Sequence, residues 1–530
     1  MSVLVFRNGS IGIGAAAPRA LAVEGGLIAA LGDDAEERAN TADEVVDLEG
    51  GVLLPSFGDG HAHPLNGGLD TWLADLQGAA SISEVQERVR AWAEEHPLEP
   101  WVRGDGYDPT LAPEGVFLAE WLDEVCADRP VWLRASDFHT AWVNTRALEA
   151  AGIDRDTQEP PDGEIVRDRS RVPVGTLREW GAWRLVERAA PPIPAATSVQ
   201  AISAATTRLA AAGITWVQDA WVEPDALSAW ATAAETGRAA IRANLAFLAS
   251  PASWRRDLDA ARSGRAELRR RAPGRVTGHT VKFFADGVIE AGTGAVIEPY
   301  VGCAHSRGMP NWDAGELARA VCAFDGHGFQ VHIHAIGDAG VRAALDAVEY
   351  AERQNGARDR RPVIAHAQLI DPVDIPRFAR LGVVANVQPL WACADSVMTE
   401  LTLPRLGERR GRAQYPFATL ARTARISFGS DWPVSSFEPW AAIAVAISRQ
   451  VPGEWAASWV PAERLTLEEA IQAYTSGVAY QAFEESLWGD LTVGARADLM
   501  ALPVDPSTLA VPELARLAPS GVWIEGARLR

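Results

Sequence analysis

Eight short apolar segments recur along the central part of this chain and alternate with longer Ala-rich stretches. They are residues 51–57, 213–219, 242–248, 280–285, 329–334, 362–366, 382–388 and 425–429. Between them, stretches such as 199–211, 314–324 and 339–350 place apolar residues three and four apart, the period of a helix with one buried face. Eight strand–helix units in sequence predict an α/β fold built on a (β/α)8 TIM-type barrel. Function in such a fold gathers at the C-terminal ends of the strands.

Both chain ends have a different texture. Residues 3–31 contain VLVF, ALAV and LIAAL between Gly-bearing turns, and LTVGARADLMALPV and GVWIEGARL near the other end read the same way. The expectation is one small β domain made of residues 1–55 with 484–530, around a barrel of residues 56–483. The first connection in that barrel is too long for a simple loop. Residues 65–195 hold their own strand (131–135), helix (83–95) and Pro-rich exit PPIPAAT, and are expected to form an inserted subdomain after strand 1. Eight of the 20 Trp fall in it; most should pack its own core, with some reaching the pocket below.

Charge narrows the partners. Asp and Glu number 70 against 49 basic residues, a net charge of −21, and such a surface repels nucleic-acid phosphates. No apolar run approaches the ~20 residues of a membrane span, and the N-terminus lacks the pattern of a signal peptide. The four cysteines are scattered without a CxxC spacing, against a disulfide framework or a thiolate zinc site. A cytoplasmic protein acting on a small molecule, without nucleic-acid or membrane partners, is the expectation. Of the 49 basic residues only Lys282 is a lysine. Arg cannot be deprotonated in a protein whereas Lys can, so the one position that resists replacement is a candidate for chemistry needing a neutral amine.

Candidate chemistry collects at predicted strand ends. His61 and His63 follow the first strand, and residues two apart on a strand share a side. Lys282 lies in VKFFADG, His332 and His334 in FQVHIHAIGD, His366 in RPVIAHAQL and Asp431 in ISFGSDWP. A lone HxH carries little weight. Convergence of these residues on one barrel rim carries much more, because buried imidazoles are costly unless paired or ligating. Imidazole and carboxylate donors suit a divalent ion, with zinc the expected one. Such an ion polarises carbonyls and acidifies water. Asp431 is the candidate general base. The ammonium form of Lys282 has no lone pair for a metal; reaction with CO2 would give a carbamate whose two oxygens could bridge two ions, and otherwise the lysine hydrogen-bonds nearby.

These motifs jointly resemble the amidohydrolase superfamily of metal-dependent hydrolases. VKFFADG, HAIGD, HAQ and GSDWPV, with the long insert, resemble its YtcJ-like branch, the amidohydrolase 3 family that includes N-substituted formamide deformylase. The terminal β pieces resemble the family's composite β-sandwich domain. The resemblance implies that His61, His63, His334 and His366 are metal ligands, with Asp431 both ligand and base. Lys282 falls on the position carboxylated in members that bind two ions, and His332 lies deeper in the barrel. It also places His139, in DFHTAWVNTRAL, against the substrate; Asp286, just past strand 4, and Trp391, past strand 7, are expected by position to line the pocket. His96, His279, His305 and His327 fall in no motif. The family's PGFIDxHxH opening reads PSFGDGHAH here, so Ser56 and Gly58 depart from it. A homodimer agrees with the family pattern.

The expected activity is cleavage of a C–N amide-type bond in an amide, N-substituted formamide or N-acyl compound. Carbamate or ester hydrolysis, or a metal-assisted isomerisation, is the alternative on the same residues. A non-catalytic binding or regulatory protein conflicts with a complete ligand set. The Trp-rich insert and the scarcity of Lys favour an apolar or aromatic substrate group over a phosphate.

Overall fold

The computed structural model describes residues 2–14, 16–160, 162–303 and 305–529. At its centre, eight parallel strands form one sheet whose order follows the chain. They are β1 (Phe57–Ala62), β2 (Ile214–Val222), β3 (Arg242–Leu248), β4 (Val276–Phe284), β5 (Gln330–Ala335), β6 (Val363–His366), β7 (Val384–Val387) and β8 (Arg425–Phe428). β1 and β8 meet just past their ends, where Asp431 N donates to His61 O and His63 N donates to Trp432 O, both at 2.7 Å. Ser430 adds N and Oγ bonds to the Asp59 carboxylate at 3.0 and 2.5 Å. The sheet is thereby wrapped into a nearly closed barrel.

Alternation along each strand sorts the side chains. Val281 and Phe283 of β4 and Ile333 of β5 face outward into one apolar core. The helices Ala195–Ala211, Ala314–Gly326 and Asp338–Asn355 cover that core with Ile202, Val321 and Leu345 among others. Lys282 and His334 take the inward parity. The register sets Lys282 level with His332, and Phe284 level with His334. His332 therefore lies one dipeptide below His334, as its place in the sequence implied.

The first barrel strand is displaced from the expected one. Residues 51–57 read as a single apolar strand, but Val52–Pro55 pairs antiparallel with Leu499–Leu502, Leu54 opposite Met500. β1 begins only at Phe57 and contains FGDGHA, every residue of it buried. Gly58 and Gly60 leave room for neighbours within this buried strand, since a Cβ would stand 2.5 Å from the Trp488 ring at Gly58 and 2.4 Å from Asn386 Nδ2 at Gly60. Ser56, the other departure from the family opening, bonds Thr215 Oγ1 at 2.6 Å.

Leu499–Leu502 also pairs with Gly521–Ile524, so both chain ends share one five-stranded sheet. A four-stranded sheet of Val3–Arg7, Leu21–Glu24, Leu27–Leu31 and Glu44–Asp47 packs on it through Phe6, Leu21, Leu53, Leu499 and Trp523. Between β1 and β2 the chain builds a six-stranded sheet of its own, with Val131–Ala135 and Thr140–Val143 at its middle. Trp142 packs inside that region, whereas Trp180 turns to the barrel, 4.1 Å from Trp221 and 4.7 Å from Phe284 between ring centres. Among the described residues no helix is long and apolar enough to cross a membrane.

Candidate active site

His61 is the second-last residue of β1, His63 lies just beyond it, and Asp431 follows β8. The seam bonds hold all three together. A ligand atom from each falls within 4.8 Å of the others. Asp431 Oδ1 stands 2.9 Å from His63 Nε2 and 3.3 Å from His61 Nε2, yet this buried oxygen makes no hydrogen bond. Two imidazole nitrogens and a carboxylate oxygen gathered this closely are the kind of donors that hold a divalent cation. The donor set therefore fits a divalent metal. Burial raises the Asp431 carboxyl, but His63, His366 and Lys282 beside it prevail, and its pKa lies below the ordinary value. Asp431 is ionised at neutral pH.

The remaining imidazoles are each fixed by a partner on one nitrogen, which leaves the other to the site. His61 Nδ1 meets His332 Nε2 at 2.8 Å. His366 Nδ1 meets Gln388 Oε1 at 2.8 Å, and His334 Nε2 meets Gly287 O at 3.2 Å. Burial, with help from neighbouring cationic groups, holds His61, His332, His334 and His366 well below the usual imidazole range. All four stay neutral. The ring of His366 lies 4.5 Å from that of His334 and 4.9 Å from that of His61. Alternation alone would turn His366 outward, since it is level with outward-facing Ala335. Its left-handed backbone, φ 74°, swings it in, and Asp431 has φ 55° at the corresponding end of β8. Strained backbone of this kind concentrates at functional sites.

Lys282 Nζ stands 3.2 Å from His61 Nε2 and is wholly enclosed. Burial lowers its pKa to about 7 against the opposing pull of Asp431. A sizeable fraction is thus the neutral amine that the lone lysine was expected to supply.

Above these groups lies a cavity of about 340 Å³, a volume suited to a small molecule. Trp180, Trp221, Phe284 and Trp391 give it aromatic walls. Trp391 stacks on His366 at 5.2 Å and 9°. His139 enters from the six-stranded sheet, its ring 5.3 Å from that of His334. Its Nδ1 meets Glu179 Oε2 at 2.8 Å. Burial works against the imidazolium, but Glu179 outweighs it and lifts the His139 pKa to about 9.

Asp286 does not reach this cavity, contrary to the expectation from sequence. It is fully buried behind His334, 3.9 Å from Nε2, and its oxygens accept from Ala295 N, Ile336 N and Gly337 N at 2.8–3.0 Å. Three donors leave it nothing for a substrate; it shapes the turn after β5 instead. Asp286→Ala would strand three buried N–H groups and is expected to destabilise the protein by at least ~3 kcal/mol, read by denaturant titration.

Glu179 and Gln388 were not legible as site residues, since each acts through a distant His and neither sits in a metal-site spacing. The structure also fills the barrel floor with a polar layer that no pattern announced: Asn244 Nδ2 donates to Gln218 Oε1 and Thr280 Oγ1 at 2.8 and 2.7 Å.

An eight-stranded parallel barrel carrying a His, His and Asp cluster at the strand ends defines a metal-dependent hydrolase. The Amidohydrolase family model matches residues 44–529, and the protein belongs to that family. Within it the chain is YtcJ-like. It is 28% identical to the putative amidohydrolase YtcJ of Bacillus subtilis over 93% of this chain and 92% of that one. It is 26% identical to the N-substituted formamide deformylase of Arthrobacter pascens over 96% and 94%, and 31% identical to protein LONG AFTER FAR-RED 3 of Arabidopsis thaliana over 91% and 83%. Among solved structures, an uncharacterised metal-dependent hydrolase from Pyrococcus horikoshii superposes with a TM-score of 0.76 at 25% identity, covering 96% of this chain and 99% of that one.

Proposed function

We propose that the protein hydrolyses a C–N amide-type bond in a small molecule bearing an apolar or aromatic group. The observation that carries this reading is the convergence of His61 Nε2, His63 Nε2 and the unbonded Asp431 Oδ1 beneath an aromatic cavity. His61, His63, His334, His366 and Asp431 are the residues that would hold a divalent ion, zinc being the one this donor set suits. Bound there, the ion supplies Lewis acidity, polarising the scissile carbonyl and lowering the pKa of water.

The chain supplies the rest. Asp431, ionised at rest, takes the proton of the attacking water on its carboxylate and passes it to the departing nitrogen. His139 lines the cavity beside His334 and contacts the substrate. The neutral fraction of Lys282 can react with CO2, its nitrogen bonding the carbon as one proton leaves, and the carbamate so formed would help to hold a second ion. The aromatic walls seat the apolar part of the substrate and keep bulk water out. The Arthrobacter relative, named for deformylation of N-substituted formamides, supports a C–N bond as the target.

A panel of N-formyl, N-acyl, carbamate and ester compounds, with products identified by mass spectrometry, tests the reading. The zinc-loaded protein is expected to release the amine from at least one N-formyl or N-acyl compound. Turnover confined to esters or carbamates, or none at all, would overturn the amide assignment.

A further inference from the structure

Beside the ligand set, His139 and Glu179 form a buried pair that ties the six-stranded sheet to the barrel. Glu179 has no exposed surface and stands at φ 62°, a strained backbone for a Glu, where the helix Glu179–Ala189 begins. Its carboxylate reaches two parts of the fold. Oε2 accepts from His139 Nδ1 at 2.8 Å, and Oε1 accepts the hydroxyl proton of Thr293, in the segment after β4. Its backbone N donates to His139 O at 2.7 Å. These bonds hold the strained residue in place.

The fit around that carboxylate is close. A Cβ added to Gly287 would stand 2.2 Å from Glu179 Oε1 and 2.3 Å from Thr293 Oγ1. The carbonyl of the same glycine accepts from His334 Nε2 at 3.2 Å. Trp180 packs edge-on to the His139 ring at 5.5 Å. With Nδ1 engaged by Glu179, the ring nitrogen left to the cavity is Nε2, and no hydrogen bond among the described residues takes it up.

We propose that Glu179 is a positioning residue that locks the His139 ring so that Nε2 faces the reacting bond of the substrate. The role given to His139 rests on the hydrolase reading; the locking of its ring does not. Without the carboxylate the imidazole can rotate, and either nitrogen can meet the cavity. Partners one step behind a metal ligand typically alter activity 10- to 100-fold, and the same range is expected for a partner one step behind a substrate-contacting histidine.

The test uses the full-length, metal-loaded protein labelled with 15N at histidine. The hydrogen-bonded Nδ1 proton of His139, assigned by its loss in His139→Gln, is expected to vanish or move upfield in Glu179→Ala. It should shift by a smaller amount in Glu179→Gln, which keeps the side-chain volume and serves if the alanine variant fails to fold. Metal content should not change. With an amide identified from the panel, Glu179→Ala should lower kcat/KM about 10- to 100-fold, chiefly through kcat. His139→Ala should do the same, and the double variant should fall no further than the worse single one. An unmoved His139 resonance in Glu179→Ala, or losses that multiply in the double variant, would overturn the assignment. Because the spectrum needs no turnover, an inactive panel would refute the amide reading while leaving the positioning role to be decided by the resonance.

Discussion

Asp431→Asn is expected to fold normally and to lose about 10⁴-fold in turnover of any amide the wild type cleaves, the upper end of what removing a general base does. The fold should survive for two reasons. The backbone N of residue 431 makes the seam bond to His61 O irrespective of side chain. The left-handed φ of 55° is one that Asn tolerates better than almost any other residue. The chemistry should fail because an amide has no basic oxygen to take a proton from water. Three readouts separate these effects: the rate with the amide identified from the panel, the metal content, and the melting temperature. An Asp431→Asn enzyme as active as the wild type would sink the proton-transfer role. A variant that is inactive but also stripped of metal would mark Asp431 as a ligand first.

Elemental analysis of the purified protein is expected to find about two zinc equivalents, falling to about one in Lys282→Ala, with loss of most activity. Lys282 is buried beside His61 Nε2, and its ammonium form has no lone pair for a metal. A carbamate, made from the neutral amine that burial favours, would supply oxygens to a second ion. Raising the pH enlarges the neutral fraction, and acidification below about 7 reduces it, so reconstitution with bicarbonate should load the second ion less completely on the acid side. One equivalent in the wild type, unchanged by Lys282→Ala, would make the site mononuclear and give Lys282 another role. No metal after reconstitution with divalent ions would remove the basis for hydrolysis altogether.

Much of the fold was legible because its signals are local. Strands such as Arg242–Leu248 and Val131–Ala135 lie where short apolar runs end at turn residues, and the covering helices lie where apolar residues recur every three or four positions. The break at Ser56 was not legible. VLLP and FGDGHA are separated by Ser56 alone and both are largely buried, and only their partners, Leu499–Leu502 for one and β2 for the other, assign them to different sheets. His366 shows the same limit in the site. Its presence at the end of a strand was readable, but its inward turn depends on a backbone angle that no residue type announces. Asp286 erred the other way: a carboxylate just past β4 looks like a pocket residue until three backbone donors are found around it.

By itself the sequence determined the kinds of donor and the strands that carry them: His61, His63, His334, His366, Asp431 and one lysine in a chain otherwise using arginine. Residue identity and period are properties of the covalent chain. The tertiary structure alone decided which ring nitrogens are taken up by neighbours and that Asp431 Oδ1 comes within 2.9 Å of His63 Nε2 and 3.3 Å of His61 Nε2. It also joined Glu179 to His139 across 40 residues of sequence. These depend on partners brought together only when the barrel closes, and a hydrogen bond between distant residues leaves no period in the sequence to read.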